Sequence, residues 1–255
     1  MLHQTDNSFG NFNYNAYVYD DAEWESHFHG NFELIYILDG KTEVTVNGKT
    51  TTLKKRELLL IAPYTVHALR IGAENKTWIG VFSEDYIENF AARKKQERYL
   101  PFTCDADVES FLLKNLFYQG TPERYMLIAC LNMVCDQCIR YAQRDATKQS
   151  NSFVEAVVSY VSEHLSEEIS LEEMAKKLGY EYHYFSALFH ENFAMHFKSF
   201  IHLFRFEKAC RLIDEGKNDM TRIADLCGFG SVRNFNRVFK NLSGMTPGAY
   251  QKRMV

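Results

Sequence analysis

The chain lacks several things that whole classes of protein need. Its longest apolar runs, "LLLIA" and "MLIACL", fall far short of the roughly 20 residues of a membrane-spanning helix. Its first residues, "MLHQTDNSFG", hold neither a basic stretch nor an apolar core, so no secretory leader is expected there. The six cysteines therefore read as reduced thiols of a cytoplasmic protein rather than a disulfide framework. Cys135 and Cys138 form a single CxxC. Lacking a second pair or a preceding strand, they are expected to be buried structural thiols, not a zinc or redox site. No G-x-S-x-G, P-loop or dinucleotide fingerprint occurs, so nucleophilic hydrolysis and nucleotide binding have no support. Positive charge is also short. The net charge of −4 argues mildly against nucleic acid as a partner of the chain taken whole.

What is present is enough apolar residue, 46% of 255, to build one large or two ordinary cores. Up to about residue 82 the pattern is of strands: "NAYVYD", "FELIYIL", "TEVTV", "ELLLIA" and "KTWIGVF", separated by the turn signals "LDGK", "VNGK" and "APYT". Such regular spacing predicts an antiparallel barrel or sandwich. Over residues 83–142 the spacing becomes helical, ending in a long helix with Thr121 as expected N-cap and Pro122 in its first turn. That helix is apolar on more than one side and needs burial against its own domain or another chain, so this segment is the expected dimerisation element. Its basic run "RKKQER", residues 93–98, reads as a solvated helix face. Residues 143–152 are polar and without apolar period, the pattern of a linker. Beyond them, residues 153–255 read as all-helical, with Ser170 and Glu173 placed as a capping box.

This last part contains a repeat. "MAKKLGY", followed by Phe185, Leu188 and Phe189, aligns with "IADLCGF", followed by Phe235, Val238 and Phe239. Gly179 and Gly228 supply the left-handed turn between two short helices, which predicts helix-turn-helix units at about 171–192 and 219–242. In the second unit Phe235, Val238, Phe239 and Leu242 form a core stripe, while Arg233, Asn236, Arg237 and Lys240 repeat the same spacing on another face. Arginine can bond guanine in bidentate fashion and asparagine adenine, so this face is the expected reader of double-stranded DNA. The equivalent positions of the first unit hold His183, Ser186, Ala187 and His190, none permanently charged. Residues 152–200 carry three Lys or Arg against eight Glu; residues 220–255 carry six against Asp225 alone. Phosphate contacts supply salt-dependent affinity, so the second unit should carry most of the binding. Between the units, "KSFIHLFRFEKACRLIDE" is a helical rod about 27 Å long.

The string "GFGSVRNFNRVFKNLSGMTPGAY", together with "SLEEMAKKLGY" and "RFEKACRLI", resembles the DNA-binding domain of AraC/XylS-type transcription regulators over roughly residues 152–252. The resemblance implies two helix-turn-helix units on a connecting helix, with base-reading positions at His183, Ser186 and Ala187 and at Arg233, Asn234, Asn236 and Arg237. Ser231 and Lys240 belong to the same reading surface. The chain departs from the family pattern at Ala187, Ala194 and Gln251.

The first half resembles the cupin-like sensor barrel of the sugar-responsive branch of that family. "HFHGNFELIYILDG" places His27, His29, Glu33 and Gly40 at the spacing HxHxxxExxxxxxG, and His67 follows in "APYTVH". Three imidazoles and a carboxylate could hold a divalent transition metal. The expectation adopted is that they hydrogen-bond within the barrel and to a polar ligand, with no cofactor. Trp24, His27, His29, Glu33, Tyr36 and His67 are the candidate ligand-binding residues.

The fold expected is thus α+β in two domains: a cupin-like barrel at 1–82 with helices at 83–142, then an all-α double helix-turn-helix. The function expected is that of a cytoplasmic transcription regulator, an activator in the first instance. Its partners would be promoter DNA, a small-molecule effector with sugars as one candidate class, a second copy of the chain, and RNA polymerase as a further candidate. The rival readings are a metal-dependent cupin enzyme with a helical interaction domain, and a structural protein with degenerate helix-turn-helix units.

Overall fold

A computed structural model describes residues 2–3, 13–94, 99–143, 153–193, 195–216 and 219–252. The expected linker beyond Gln143, the side chains of "RKKQER" and Ala194 lie outside these residues. The chain divides into two compact units, one on each side of the linker region. Among the described residues, no helix is long and apolar enough to cross a membrane.

The first unit carries nine strands: β1 (Leu2–His3), β2 (Tyr14–Tyr19), β3 (Ala22–Phe28), β4 (Phe32–Asp39), β5 (Lys41–Val46), β6 (Lys49–Lys54), β7 (Leu58–Ile61), β8 (His67–Ile71) and β9 (Lys76–Phe82). They form two sheets, ordered β1-β3-β8-β5-β6 and β2-β9-β4-β7. Every pairing is antiparallel except that of β1 with β3. Side chains alternate across each strand. On β4, Ile35 and Ile37 therefore meet Val44, Leu53, Leu69 and Ile71 between the sheets. The opposite face of β4, Phe32, Leu34 and Tyr36, packs with the helices that follow.

Those helices are a 3-10 turn η1 (Glu84–Ile87), α1 (Glu88–Lys94), α2 (Ala106–Asn115) and α3 (Arg124–Tyr141). Helix α3 buries Leu127, Cys130, Leu131, Val134, Cys135 and Cys138 against the four-stranded sheet, so barrel and helices share one core. Cys135 and Cys138 are buried free thiols. The start of α3 differs from expectation. It begins at Arg124 with Glu123 in the cap position, leaving Thr121 and Pro122 outside the helix. Pro122 is buried, so its ring is used for packing at the helix entrance instead of in the first turn.

The second unit is all helical: α4 (Phe153–His164), α5 (Leu171–Lys177), α6 (Tyr182–Phe193), α7 (Phe197–Asp214), α8 (Met220–Leu226), α9 (Val232–Ser243) and α10 (Pro247–Gln251). Its helix ends are set by local chemistry. Ser170, Asp219, Ser231 and Thr246 each accept a hydrogen bond from the backbone N–H three residues on. Gly244 ends α9 in the left-handed conformation, φ 75°. Phe185, Phe189, Phe193, Phe200 and Phe204 build the first core, and Phe206, Phe229, Phe235 and Phe239 the second. Burying each such ring is worth roughly 1.5–3 kcal/mol.

Candidate functional site

Helix α9 separates its faces as its sequence period requires. Phe235, Val238 and Phe239 are buried, and Leu242 is half-buried at the edge of the same cluster. Arg233, Asn236, Arg237 and Lys240 are exposed together on the opposite side. Two of the expected reading residues are occupied within the helix. Ser231 is its N-cap: its Oγ accepts from the Asn234 N–H at 3.2 Å. Asn234 is half-buried, donating from Nδ2 to the Phe229 carbonyl at 2.9 Å and accepting at Oδ1 from Arg237 Nη2 at 2.8 Å. Asn234 thus braces the turn and holds the guanidinium of Arg237, while Arg237 presents its remaining donors outward.

In the first helix-turn-helix, α6 exposes His183, Ala187 and His190, while Ser186 is half-buried. Tyr182 and Tyr184 are exposed beside them. Glu181 accepts from the Tyr184 N–H at 3.1 Å and so caps this helix with an acidic group. The charge contrast read from sequence is therefore a contrast between two exposed helix faces.

The second site lies in the barrel. A β-bulge between Trp24 and His27 resets the register so that His27 stands directly across from His67 on β8. His29 follows the end of β3, and its carbonyl accepts from the Tyr64 N–H at 2.7 Å. Glu33 enters from β4. The ligand atoms of His27, His29, Glu33 and His67 all lie within 4.8 Å of one another, and all four residues are buried.

The three imidazoles are oriented alike. Each turns Nδ1 to a backbone carbonyl two residues away: His27 to Glu25 at 2.8 Å, His29 to Asn31 at 3.1 Å and His67 to Thr65 at 2.8 Å. A carbonyl can only accept, so each Nδ1 carries a proton and donates it. That leaves Nε2 of a neutral ring as a lone pair aimed into the cluster. Yet the His29 Nε2 lies 3.1 Å from Glu33 Oε2, and the His67 Nε2 lies 3.4 Å from the same oxygen. The second contact is not aligned as a hydrogen bond, so His67 Nε2 and Glu33 Oε1 have no partner. Lone pairs facing a buried carboxylate require a cation among them, either a proton or a metal ion. Burial opposes ionisation of Glu33, but the imidazoles of His67 and His29 beside it outweigh that and hold the carboxyl below its usual range. Burial depresses His67 while Glu33 raises it, and the carboxylate wins. His27 is pushed down to about 4, by burial first and then by His67. His27 thus stays neutral, and the cation is held among Glu33, His29 and His67.

The chamber over this cluster is lined by Asn15, Tyr17, Tyr19, Trp24, Leu69 and Val81, among others, and leaves about 30 Å³ free. That is room for two or three water-sized groups, at about 10–15 Å³ each. Tyr19 and Trp24 meet edge-to-face at 4.6 Å between ring centroids, and Tyr17 packs on Tyr19 at 5.9 Å. A sugar-sized molecule requires this chamber to widen. Trp24 is thus at the expected site, but Tyr36 is not. Alternation along β4 turns it to the helical layer, where its hydroxyl donates to Glu109 at 2.7 Å and its ring stacks on Phe117 at 4.1 Å. Asn15, Tyr17 and Tyr19 were not singled out as a set from sequence, although every second residue of β2 identifies them.

Residues 174–253 match the helix-turn-helix domain family and residues 19–81 the cupin domain family. The Msm operon regulatory protein of Streptococcus mutans is 22% identical over 237 residues, covering 87% of this chain and 84% of its own. The HTH-type transcriptional regulator YobQ of Bacillus subtilis is 24% identical over 231 residues, 89% of each chain. Among solved structures, ToxT from Vibrio cholerae aligns with 95% of this chain and 98% of its own, at 14% identity and a TM-score of 0.45. The chain thus carries a cupin domain followed by an AraC-type helix-turn-helix domain, the domain pair of a transcription regulator.

Proposed function

We propose that this regulator reads its operator chiefly through α9 and answers to a small polar effector bound at the histidine–glutamate cluster. The observation that carries the DNA half is the joint exposure of Arg233, Asn236, Arg237 and Lys240 beside a buried phenylalanine stripe. Bidentate Arg and Asn contacts to base edges, with Lys240 at a phosphate, account for that set of residue types. His183, Ala187 and His190 on α6 make the weaker second contact. The sensing half is supported by the orphaned Nε2 of His67 and Oε1 of Glu33, buried atoms that a bound group would satisfy. Ligand binding parts the Tyr19–Trp24 contact, and any effect on transcription requires that the ligand favour one arrangement of the chain over another. A cytoplasmic homodimer that contacts RNA polymerase as an activator completes the reading, with sugars as one candidate effector class.

A second reading is favoured by the cluster itself. Three Nε2 atoms and a carboxylate, each Nδ1 locked by a carbonyl, fit a divalent transition metal. His27, His29, Glu33 and His67 would hold it, and its chemistry there would be that of a Lewis acid for an oxygen-bearing ligand. The chain's own contribution is to fix the rings and exclude water. Recovery and sequencing of genomic fragments bound by the purified protein tests the main reading, and the neighbouring genes would indicate the effector. Failure to enrich any sequence over bulk DNA at physiological salt would refute it.

A further inference from the structure

His202 is a half-buried imidazole of α7. Exposed Lys198 stands one turn before it and half-buried Arg205 three residues after it. That spacing puts the three on one side of the helix. The His202 ring lies over the ring of Phe229, in the turn before α9, with 6.4 Å between centroids and 28° between planes. The Phe229 carbonyl accepts from Asn234, and Asn234 holds the guanidinium of Arg237. The imidazole of α7 therefore sits beside the brace that orients the reading arginine of α9.

The electrostatic surroundings of this imidazole are of one sign. The charges that act on it are those of Arg205 and Lys198 from its own helix and Arg237 from α9. Burial first, and these cations second, push it down to about 4, so it is neutral near pH 7. Arg205 directs its donors to the Leu165 and Glu167 carbonyls, at 3.1 and 2.6 Å. Lys198 and Arg237 are exposed. Mutually repelling cations around an imidazole are all stabilised by one anion placed among them. A phosphate oxygen against the ring also reverses the local logic, because an adjacent negative charge favours the protonated form.

We propose that Lys198 and His202 of α7 form a phosphate site beside α9, which binds the DNA backbone next to the base that Arg237 reads, and that His202 takes up a proton from solvent as the phosphate arrives. The ligand is a backbone phosphate of duplex DNA, and binding through α7 depends on pH. The imidazole is depressed in the free chain and raised by the phosphate. Affinity therefore increases as pH falls, and the gain is lost as pH rises through the value in the complex. The proposal rests on the DNA-binding reading. A chain that binds no DNA fails that reading, whereas DNA binding that ignores His202 fails this proposal alone.

The test is fluorescence anisotropy of the full chain with a short generic duplex, in salt series at pH 6 and pH 8. Phosphate contacts carry non-specific binding, so no operator is needed. The native chain should bind more tightly at pH 6, by at most about tenfold per pH unit for one proton. Its plot of log affinity against log salt should steepen there by about 0.9, one phosphate's share. His202→Gln should lose both changes. His202→Arg should bind at pH 8 as the native chain binds at pH 6, and it carries the test if circular dichroism shows His202→Gln unfolded. Lys198→Ala should flatten the salt slope by about 0.9 at both pH values. Native pH dependence in folded His202→Gln overturns the proposal, as does a His202→Arg chain no tighter at pH 8 than the native one. Inorganic phosphate is the second arm. If it shifts the His202 ring proton resonance at low-millimolar concentration without DNA, the cluster is a free-anion site and the duplex assignment is wrong.

Discussion

The guanidinium of Arg237 is held by Asn234, one turn earlier on α9, through a 2.8 Å bond from Nη2 to Oδ1. Pre-orienting a long side chain lowers the entropy lost when it meets a base. Arg237→Ala should therefore cost about 1–3 kcal/mol on the specific site, the range of a bidentate base contact. Asn234→Ala should weaken the same base preference without touching DNA. The two losses should be non-additive, because both remove one oriented group. Gel-shift titrations of both single variants and the double variant, at one salt concentration, decide this; simple additivity would count against the brace.

The two units should differ in their response to salt. Lys240→Ala should flatten the dependence of log affinity on log salt by about 0.9, one phosphate's share. His190→Ala should leave the slope unchanged near neutral pH. Binding isotherms across a salt series measure both slopes, and equal slopes for the two variants would contradict the division of labour between α9 and α6.

The barrel cluster should bind a cation. Zinc, nickel or manganese added to metal-free protein should raise its melting temperature, since a ligand bound only by the folded state at 100 times its Kd adds about 2.7 kcal/mol. His67→Ala should abolish the shift. If no metal moves the transition and none is found by mass spectrometry of the purified protein, the cation is a proton held among Glu33, His29 and His67.

Where β4 meets α2, stability should depend on acid. Arg56 Nε donates to Glu109 Oε2 at 2.9 Å, and the Tyr36 hydroxyl donates to Oε1 at 2.7 Å. Burial pushes the Glu109 carboxyl up, but these bonds outweigh it and hold it below its ordinary 4.5. A depressed carboxyl contributes stability that is fully present above the unfolded value and is lost as pH falls through the folded one. Thermal midpoints of the native chain and Glu109→Gln should differ by a constant amount near neutrality and converge below about pH 4.5. A gap that persists unchanged at pH 3 would assign the effect to packing.

The strands that sequence revealed were those buried on both faces or rich in β-branched and aromatic residues, such as β4 and β9. Besides the two-residue β1, the ones it missed, β3 "AEWESHF", β6 "KTTTLK" and β8 "HALRI", give their outer face to Glu, Lys, Thr and Arg. Their apolar content alone is too small to stand out. The helix-turn-helix units were legible almost to the residue, because repetition, capping serines and turn glycines agree. The helix expected at 198–215 spans Phe197–Asp214. The barrel ligands were legible as a motif, but the carbonyl locks on each Nδ1 depend on the local backbone path. Tyr36 was misplaced because proximity to Glu33 in sequence says nothing about face, and three positions along a strand reverse it. Arg205 opens the string "RFEKACRLI" that carries the resemblance, but its carbonyl partners at Leu165 and Glu167 follow only from the folded packing.

The paired rings of Tyr19 and Trp24 also bear on time. If entry to the cluster parts those rings, the apparent affinity of a molecule larger than water is reduced by the fraction of time the chamber stands open. At high ligand concentration its entry rate levels off at the rate of ring separation.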